Sequence, residues 1–365
     1  MLDVEGIQRK IRVAGVTWEA GYTPLAQLPE EDQDRRLGLE VPPGELERFA
    51  AAIAATGYEA GIAFASERDW RKTKGKNWIT QIRDQGSCGS CVAFATVATM
   101  EAQARIEHKA PGWDLNLAEA DLFFCGAGKR CQQGWWPSEA LVYTSAKGVP
   151  DESCFPYQDH DMDCKGCADR PGKLLKVGEW KELVGVGERK GWLDTNGPTI
   201  ACMAVYRDFY AYKNGIYRHV SGDLAGYHAV CCVGYSEEER AWICKNSWGT
   251  GWGDGGFFKI AYGEAEMDTR FPMWGVSGVT GTLHPRDDES EDEDDETSAL
   301  ADHVVLRHEA DGAMRLLARV GGAWKAMNVQ PDAAAGLAAA AFGSTAVEVT
   351  YEGDAIVTLS SWKKF

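Results

Sequence analysis

The stretch Gln85-Gly86-Ser87-Cys88-Gly89-Ser90-Cys91-Val92-Ala93-Phe94 joins a glycine-rich turn to an apolar run, and it decides how the rest of this sequence is interpreted. Two blocks downstream complete the pattern: Tyr227-His228-Ala229-Val230 and Lys245-Asn246-Ser247-Trp248-Gly249-Thr250-Gly251-Trp252-Gly253. A cysteine nucleophile needs a base, a group that orients the base, and a donor for the oxyanion that forms at the attacked carbonyl. Cys91, His228, Asn246 and Gln85 are the side-chain types for these four tasks, so the pattern predicts covalent thiol catalysis.

The three blocks, in this order and at this spacing, resemble those of the papain family of cysteine peptidases. His228 and Asn246 follow Cys91 by 137 and 155 residues, and the resemblance spans residues 66 to about 283. It implies an α+β, papain-like fold with two subdomains: a helical half bearing Cys91, a β-sheet half bearing His228 and Asn246, and an active-site cleft between them. It also implies hydrolysis of peptide bonds in polypeptide substrates, without a metal or an organic cofactor. Val92 departs from the family, which usually has Trp there, but Val92 is not a reacting group.

Particular roles follow from the resemblance. Cys91 would be the nucleophile, His228 the base, Asn246 the group that orients His228, and Gln85 an oxyanion donor. The resemblance also implies a set of substrate-binding residues, among which Gly134 would pair its backbone with extended substrate and Trp248 would shield the bond between His228 and Asn246. The set suggests an apolar or aromatic side chain two residues before the cleaved bond, and its members are Gly134, Trp135, Trp136, Cys202, Gly226, Tyr227 and Trp248.

Several alternatives stay open on the sequence. Cys88 and Cys91 are spaced as in redox pairs and zinc sites, although the His and Asn blocks argue for a peptidase. His160 and His219 are further candidates for the base, but both lie in polar, turn-like surroundings that predict exposed side chains. The same acyl-enzyme would serve a peptide ligase or transpeptidase, and a catalytically vestigial binding protein is the remaining alternative.

The segment before the catalytic blocks, residues 1–65, is predicted to be an N-terminal pro-segment-like region. Trp18-Glu19-Ala20-Gly21 and Leu37-Gly38 suggest an extended entry, and apolar residues at helical spacing predict a short amphipathic helix over 45–55. Papain-like enzymes commonly carry an inhibitory pro-segment at this place, so the chain is expected to be a zymogen with a mature start near Ser66. A purely structural arm is the alternative.

Residues 66–283 form the predicted peptidase domain. An uninterrupted run of helix-forming residues predicts a helix over 91–108 with Cys91 in its first turn. Runs rich in β-branched and aromatic residues, separated by glycine-rich turns, predict strands over 199–205, 228–235, 241–245 and 256–261.

The C-terminal part differs in composition. Residues 284–297 form a predicted solvated linker, because nine acidic residues lie between Asp287 and Glu296. Residues 298–365 recover apolar patterning, with an Ala-rich stretch over 333–342, and predict a small α+β module. A binding role with a protein partner and a stabilising role are both open for this module.

Charge and cysteine usage limit the function classes. The formal net charge of −17 and the absence of a basic stripe disfavour nucleic-acid binding. No apolar run is long enough for a membrane span, and the first residues lack the pattern of a secretory signal. The resemblance implies disulfides Cys88–Cys131 and Cys125–Cys164. The extra Cys154 and Cys167 could form a third, but the sequence leaves their redox state open, and disulfides favour a secreted or other oxidising compartment. The lack of a visible signal keeps a cytoplasmic location open, and the sequence does not resolve this conflict.

Overall fold

The computed structural model describes residues 1–56, 64–286 and 289, together with six strands between residues 296 and 362. It divides into two compact units, of which the first contains residues 1–57 and 65–290 and the second contains the strands after residue 290. In the part of the chain that is described, no helix is long and apolar enough to cross a bilayer.

The helices and strands of the first unit follow one another along the chain in a mixed order. The helices are α1 (Val4–Ala14), α2 (Glu30–Asp34), α3 (Glu45–Ala55), α4 (Cys91–Glu107), α5 (Pro137–Lys147) and α6 (Val186–Thr195). The strands are β1 (Glu19–Ala20), β2 (Glu67–Asp69), β3 (Val149–Pro150), β4 (Leu174–Lys176), β5 (Glu179–Leu183), β6 (Thr199–Tyr206), β7 (Tyr212–Asn214), β8 (Ile216–Tyr217), β9 (Leu224–Ser236), β10 (Ala241–Lys245), β11 (Phe257–Ala261), β12 (Met273–Ser277) and β13 (Thr280–Gly281).

Helix α4 is the central element of the helical half. Every residue from Cys91 to Arg105 is buried, because the helix is surrounded by protein rather than lying on the surface. A helix buried on all sides needs small or apolar residues around its whole circumference, and the alanines of this run meet that need. The predicted helix is confirmed, and it begins at Cys91 itself.

The β-sheet half is an eight-stranded sheet with the order β5-β12-β6-β9-β10-β11-β8, in which β2 also pairs with β9. Strand β9 lies between β6 and β10, and both neighbours run antiparallel to it. His228 lies on β9 opposite Met203, and Asn246 is the first residue after β10. The four predicted strands are confirmed, although β9 starts four residues before the predicted start at His228.

The N-terminal segment, residues 1–56, is more regular than expected. The predicted extended conformation is wrong for the first part of this segment, because Val4–Ala14 is the helix α1. Its residues Val4, Ile7 and Ile11 are buried on one face. The Asp3 side chain accepts a hydrogen bond from the Gly6 amide at the start of this helix. The spacing of the apolar residues and this cap were both visible in the sequence. The predicted second helix is confirmed as α3.

Two short pairings hold the N-terminal segment to the catalytic part. Strand β1 pairs with β7, and Leu39 forms an isolated parallel bridge with Trp135. Directly before β1, Trp18 is buried, with 1% of its surface exposed, against Tyr212 and Tyr217. The segment therefore lies along the surface that contains the candidate site.

Three disulfides form in the helical half. They join Cys88 to Cys131, Cys125 to Cys164 and Cys154 to Cys167, which confirms the three predicted pairings. Such bonds fit an oxidising compartment. Five cysteines carry free thiols, and all five are buried: Cys91, Cys202, Cys231, Cys232 and Cys244.

The second unit contains a six-stranded sheet with the order β14-β18-β19-β17-β16-β15. Its strands are β14 (Glu296–Leu300), β15 (His303–His308), β16 (Met314–Val320), β17 (Ala323–Val329), β18 (Ala346–Glu352) and β19 (Ala355–Trp362). Strand β14 begins inside the predicted linker 284–297, most of whose acidic run lies outside the described residues. The Ala-rich stretch 333–342 also lies outside them, so the helical part of the predicted α+β module stays a prediction.

Candidate active site

Cys91 is the first residue of α4, where the unpaired amide groups of a helix N-terminus favour a negative charge. Its side chain is fully buried, and this burial raises the pKa of the thiol to about 11. Hydrogen bonds from backbone groups act in the opposite direction, the largest from Ala229 and Gly38. Gly38 belongs to the N-terminal segment, so this segment reaches the sulfur atom itself.

His228 and Asn246 are joined by a hydrogen bond of 2.8 Å between Nε2 and Oδ1. The same Asn246 oxygen accepts a hydrogen bond from the Ser247 amide, so the side-chain oxygen, not the nitrogen, faces His228. Nε2 must then carry the hydrogen in the neutral ring, which leaves Nδ1 as the proton acceptor. Nδ1 is buried and has no hydrogen-bond partner among the described residues. The ring is thus in the tautomer that can take a proton.

The surroundings of His228 keep its ring neutral. Burial lowers the pKa of His228 to about 4, the bond to Asn246 raises it, and the positive charge of Arg36 lowers it further. The Trp248 ring covers the imidazole at a centroid distance of 4.7 Å. A neutral His228 together with a neutral Cys91 is a resting arrangement, because the reactive form of such a pair is a thiolate with an imidazolium.

Gln85 lies fully buried between two backbone carbonyls and a hydroxyl. Its Nε2 donates to the Arg36 carbonyl at 3.0 Å and to the Cys88 carbonyl at 2.8 Å. Its Oε1 accepts a hydrogen bond of 2.7 Å from the Ser247 hydroxyl. The Arg36 carbonyl, which belongs to the N-terminal segment, therefore accepts the hydrogen bond that an oxyanion would otherwise accept from Gln85.

The N-terminal segment crosses this site in close backbone contact. A Cβ atom on Gly38 would lie 1.7 Å from the Gly89 carbonyl oxygen, so only glycine fits at this point. The Trp135 amide donates to the Gly38 carbonyl at 2.9 Å, and the Glu40 amide donates to the Trp135 carbonyl at 3.1 Å. These bonds make a parallel pairing between the N-terminal segment and Trp135. The pairing of Gly134 with substrate stays a prediction.

The predicted substrate-binding residues gather around the same crossing. Leu39 is buried in one apolar cluster with Trp135, Trp136 and Cys202, and Tyr227 packs against this cluster. Gly134 and Gly226 face the N-terminal segment closely, since Cβ atoms there would lie 2.8 Å from Glu40 and 3.0 Å from Leu37. Trp248 instead lies over His228, as described above.

The other candidates from the sequence lie elsewhere. His160 is exposed. His219 is half-buried rather than exposed, because its ring stacks on Tyr206 and its Nδ1 lies 3.1 Å from Asp208. Cys88 is bonded to Cys131, so it does not form a redox pair with Cys91. No group of His, Cys, Asp or Glu residues arranged to hold a metal ion is present in the described part of the chain.

Comparison with known proteins identifies the family. The model of the papain family of cysteine proteases matches residues 64–271, which is more than half of the chain. The chain belongs to the papain family. As a papain-family member it is a cysteine peptidase that acts on polypeptides, and the expected fold and enzyme class are confirmed.

Named relatives agree with this assignment. Cathepsin B-like cysteine proteinase 2 of Haemonchus contortus is 34% identical over 247 residues, which span 57% of this chain and 69% of the relative. Thiol protease aleurain of Arabidopsis thaliana is 30% identical over 266 residues, or 70% of this chain and 71% of the relative. Among solved structures, proCathepsin B S9 from Trypanosoma congolense superposes with a TM-score of 0.62 at 24% identity, covering 76% of this chain and 98% of that one. This last likeness is one of fold.

Three residues of the site were missed from the sequence. Arg36 and Gly38 lie about fifty residues before Cys91, and nothing in their local pattern points to the catalytic residues. Ser247 directly follows Asn246 in the third block, and this position beside a predicted catalytic residue could have indicated that it belongs to the site.

Proposed function

We propose that this peptidase hydrolyses internal peptide bonds through a Cys91 thioester, and that residues 1–65 hold it inactive until they are removed or displaced. The observation that carries the proposal is the tautomer of His228. Its Nε2 hydrogen is committed to Asn246, and its buried Nδ1 is left to accept a proton. The four catalytic assignments are those made from the sequence.

In the first half of the reaction, His228 Nδ1 takes the proton of Cys91, and the thiolate attacks the scissile carbonyl carbon. The carbonyl π electrons move to the oxygen, which accepts hydrogen bonds from Gln85 Nε2 and from the Cys91 amide. When the tetrahedral intermediate collapses, the C–N bond breaks and the imidazolium gives its proton to the leaving amine. The product is a thioester and a neutral His228.

In the second half, neutral His228 removes a proton from water, whose oxygen attacks the thioester carbonyl. The C–S bond breaks, the acid product leaves, and the imidazolium returns its proton to the Cys91 thiolate. Asn246 holds the ring through both halves, since Nε2 keeps its hydrogen throughout. No metal or organic cofactor takes part in these steps.

The N-terminal segment inhibits in three ways at once. The Arg36 carbonyl accepts a hydrogen bond from the Gln85 amide, Gly38 lies against the sulfur, and Leu39 is buried in the apolar cluster that contains Trp135 and Trp136. The segment pairs in parallel with Trp135, whereas the reaction requires a carbonyl carbon presented to the thiolate with its oxygen toward Gln85. The positive charge of Arg36 also opposes an imidazolium at His228. A segment bound in this way blocks the site and suppresses its reactive form.

The occupied pocket supports an apolar preference in substrates. Leu39 is 8% exposed and belongs to the same buried apolar cluster as Trp135, Trp136 and Cys202, which supports a branched aliphatic side chain two residues before the cleaved bond. The disulfides in the helical half favour a secreted or other oxidising compartment for the working enzyme.

The test compares the wild-type chain with Cys91→Ala at pH 4.5 and pH 7, following intact mass and hydrolysis of a peptide with Leu two residues before the cleaved bond. Wild type should lose about the first 65 residues and gain activity, whereas Cys91→Ala should do neither. Cys231→Ala, the same change at a buried thiol outside the site, is the matched control and should behave as wild type. Full activity without trimming would reject the inhibitory role, and activity in Cys91→Ala would reject the mechanism.

A further inference from the structure

The chain enters the catalytic fold again at Ala65. The first unit resumes at this residue, and the papain-family match begins one residue earlier. The Ala65 amide donates to an oxygen of the Asp194 carboxylate at 3.2 Å, and the Ala65 carbonyl oxygen lies 3.1 Å from the Tyr235 hydroxyl. The next carbonyl, that of Ser66, accepts the Glu237 amide at 2.9 Å, and strand β2 follows directly. Trimming that proceeds past Ala65 would therefore have to break bonds of the catalytic part.

Asp194 can bind more donors than the single amide of Ala65. It lies near the end of α6, its side chain is 15% exposed, and a carboxylate offers about four acceptor positions. Both of its oxygens lie 2.9 Å from the Tyr235 hydroxyl. Burial raises the pKa of Tyr235, as does Asp194, so the hydroxyl keeps its hydrogen and can donate it. A carboxylate largely shielded from water thus faces the backbone nitrogen of Ala65.

We propose that processing ends with hydrolysis of the bond between Phe64 and Ala65, and that Asp194 then binds the new amino terminus as an ammonium group. The inference rests on the proposed function, because it names the first residue of the processed enzyme. In this hydrolysis the C–N bond breaks, the oxygen of water bonds to the Phe64 carbonyl carbon, and the Ala65 nitrogen gains a hydrogen. Solvent supplies one more proton at any pH below the pKa of the amine.

The cut changes the group that faces Asp194. A neutral amide with one hydrogen becomes a cation with three, and charge-assisted hydrogen bonds are about twice as strong as neutral ones. Because Asp194 is mostly shielded from water, dissolved salt screens the new pair less than it screens an exposed pair. The site therefore binds the processed amino terminus more strongly than it binds the uncut chain.

The other charged groups at this site leave room for one more cation. Lys190 on α6 pairs with Glu237, which follows β9. Arg68 on β2 lies 3.4 Å from Oδ1 of Asp194, whereas the Ala65 nitrogen lies 3.2 Å from Oδ2. The ammonium and Arg68 would thus bind different oxygens of one carboxylate, without competing for the same acceptor atom.

The geometry also selects a single starting residue. Consecutive Cα atoms are about 3.8 Å apart, so a chain that begins one residue earlier or later places its ammonium group away from Asp194. Only a chain that begins at Ala65 brings the charge within hydrogen-bond distance of this carboxylate. We expect one main product, which starts one residue before Ser66.

The test follows the amino group of the processed enzyme by mass spectrometry. Wild type is processed at pH 4.5, and its main product should begin at Ala65. The product is then labelled with cyanate, which reacts with neutral amines, between pH 6 and 10. The reference is the free peptide Ala-Ser-Glu-Arg-Asp, which copies residues 65–69. An opposite charge at this distance raises an amine pKa enough to slow labelling at pH 7 by about tenfold or more, and the rates should converge near pH 10.

Variants of Asp194 assign the effect to the carboxylate. Processed Asp194→Asn should be labelled at pH 7 about tenfold faster than wild type, and Asp194→Glu should restore most of the slow rate. Asp163→Asn, the same change at a carboxylate that is 83% exposed, is the matched control and should be labelled as wild type. Peptide hydrolysis should be unchanged in all of these variants. The comparison of wild type with the free peptide does not depend on how well a variant folds.

Thermal unfolding separates this role from a purely structural one. The pair raises the pKa of the amino group above its ordinary value of about 8, so its stabilising effect is complete below pH 8 and is lost as the pH rises through the raised value. At pH 6, Asp194→Asn should lower the Tm of the processed enzyme by about 3 °C more than it lowers the Tm of the full-length chain. At pH 10 the two decreases should be equal. A structural role alone would make them equal at both pH values.

Three results would each overturn the inference: an active product that begins at another residue, slow labelling that persists at pH 10, or equal labelling of wild type and Asp194→Asn at pH 7. Failure of the proposed function looks different. Wild type would then stay untrimmed and would show no peptide hydrolysis that depends on Cys91, and both proposals would fall together.

Discussion

Cys91 and His228 share an unusual resting state, because burial moves their pKa values apart in the direction that disfavours charge on both. The thiol pKa rises to about 11 and the imidazole pKa falls to about 4. We expect that, once the N-terminal segment leaves and solvent enters, the burial that lowers the pKa of His228 is relieved and the pKa rises toward its ordinary value of 6.5. Protonation of His228 is therefore coupled to uncovering of the site.

The sign of this coupling gives a pH prediction. Between pH 6.5 and about 4 the uncovered form binds a proton that covered His228 does not, so the covered form loses stability as the pH falls through this window. This difference in the pKa of His228 corresponds to about 3 kcal/mol at most. Hydrogen exchange of residues 36–40 in Cys91→Ala, corrected for intrinsic rates, should show protection decreasing from pH 6.5 to 4. The decrease should be weaker when His228→Gln is added. Protection that is constant over this window would contradict the coupling.

Gly38 supports a second prediction at the same scale. A methyl group at this position would collide with the Gly89 carbonyl, so Gly38→Ala should lift the segment from the site. The full-length variant should hydrolyse peptide at pH 7 at least about tenfold faster than full-length wild type. A loss of about 1.4 kcal/mol in the binding free energy of the segment already gives that factor. Gly191→Ala, where a Cβ would meet no atom within 4 Å, should leave the rate unchanged. The initial rate is measured while intact mass shows the chain to be untrimmed.

The N-terminal segment also makes contacts away from the catalytic residues, and these contacts anchor it to the β-sheet half. Trp18 donates its indole hydrogen to the Arg218 carbonyl at 2.8 Å and lies 5.3 Å from the Tyr217 ring, centroid to centroid. Arg207 pairs with both carboxylate oxygens of Asp34 near the end of α2. These anchors hold the part of the segment that enters the cleft, so inhibition depends on contacts far from Cys91.

We expect Trp18→Ala to weaken the binding of the whole N-terminal segment to the catalytic part. Truncating a buried Trp costs about 3 to 5 kcal/mol, most of which would fall on the bound state of the segment. The full-length variant should therefore lose its N-terminal residues faster than wild type at pH 4.5, with a half-time at least about tenfold shorter. Val13→Ala, at a residue 90% exposed on the same segment, is the matched control and should process at the wild-type rate. Equal half-times for Trp18→Ala and wild type would show that this anchor does not hold the segment.

Elements with a strong local pattern were predictable from the sequence. Helix α4 has an unbroken apolar and alanine-rich run, and β10 matches its predicted bounds of 241–245. Helix α1 was not predicted, although Val4, Ile7 and Ile11 have helical spacing and Asp3 caps the helix. The path of residues 36–40 through the cleft depends on tertiary contacts with Trp135 and Gly89, which no local pattern encodes.

At the scale of the whole molecule, the candidate catalytic residues and the disulfides all lie in the first unit. That unit also contains its own buried core around α4 and the eight-stranded sheet. The sheet of the second unit contains none of the residues assigned to the peptidase reaction. We therefore regard residues 298–365 as an accessory module whose role lies outside the peptidase reaction.

A chain that ends at residue 290 tests this division. It should process, fold and hydrolyse peptide with the kcat/KM of the full-length protein, because every contact described at the site lies within residues 1–290. Thermal unfolding followed by tryptophan fluorescence should show the same main transition in both proteins. A loss of peptide hydrolysis in a shortened chain that still folds would assign the second unit a part in catalysis.

The disulfides are distributed unevenly, with all three between residues 88 and 167, whereas the cysteines of β6, β9 and β10 are buried free thiols. A reductant that keeps Cys91 active will therefore act on one half of the enzyme and leave the other unchanged. The Cys88–Cys131 bond ties the turn before the nucleophile to the stretch that pairs with bound chain. Prolonged reduction should consequently erode substrate binding before it disturbs His228 and Asn246, and the working lifetime of the enzyme will depend on how strongly reducing its surroundings are.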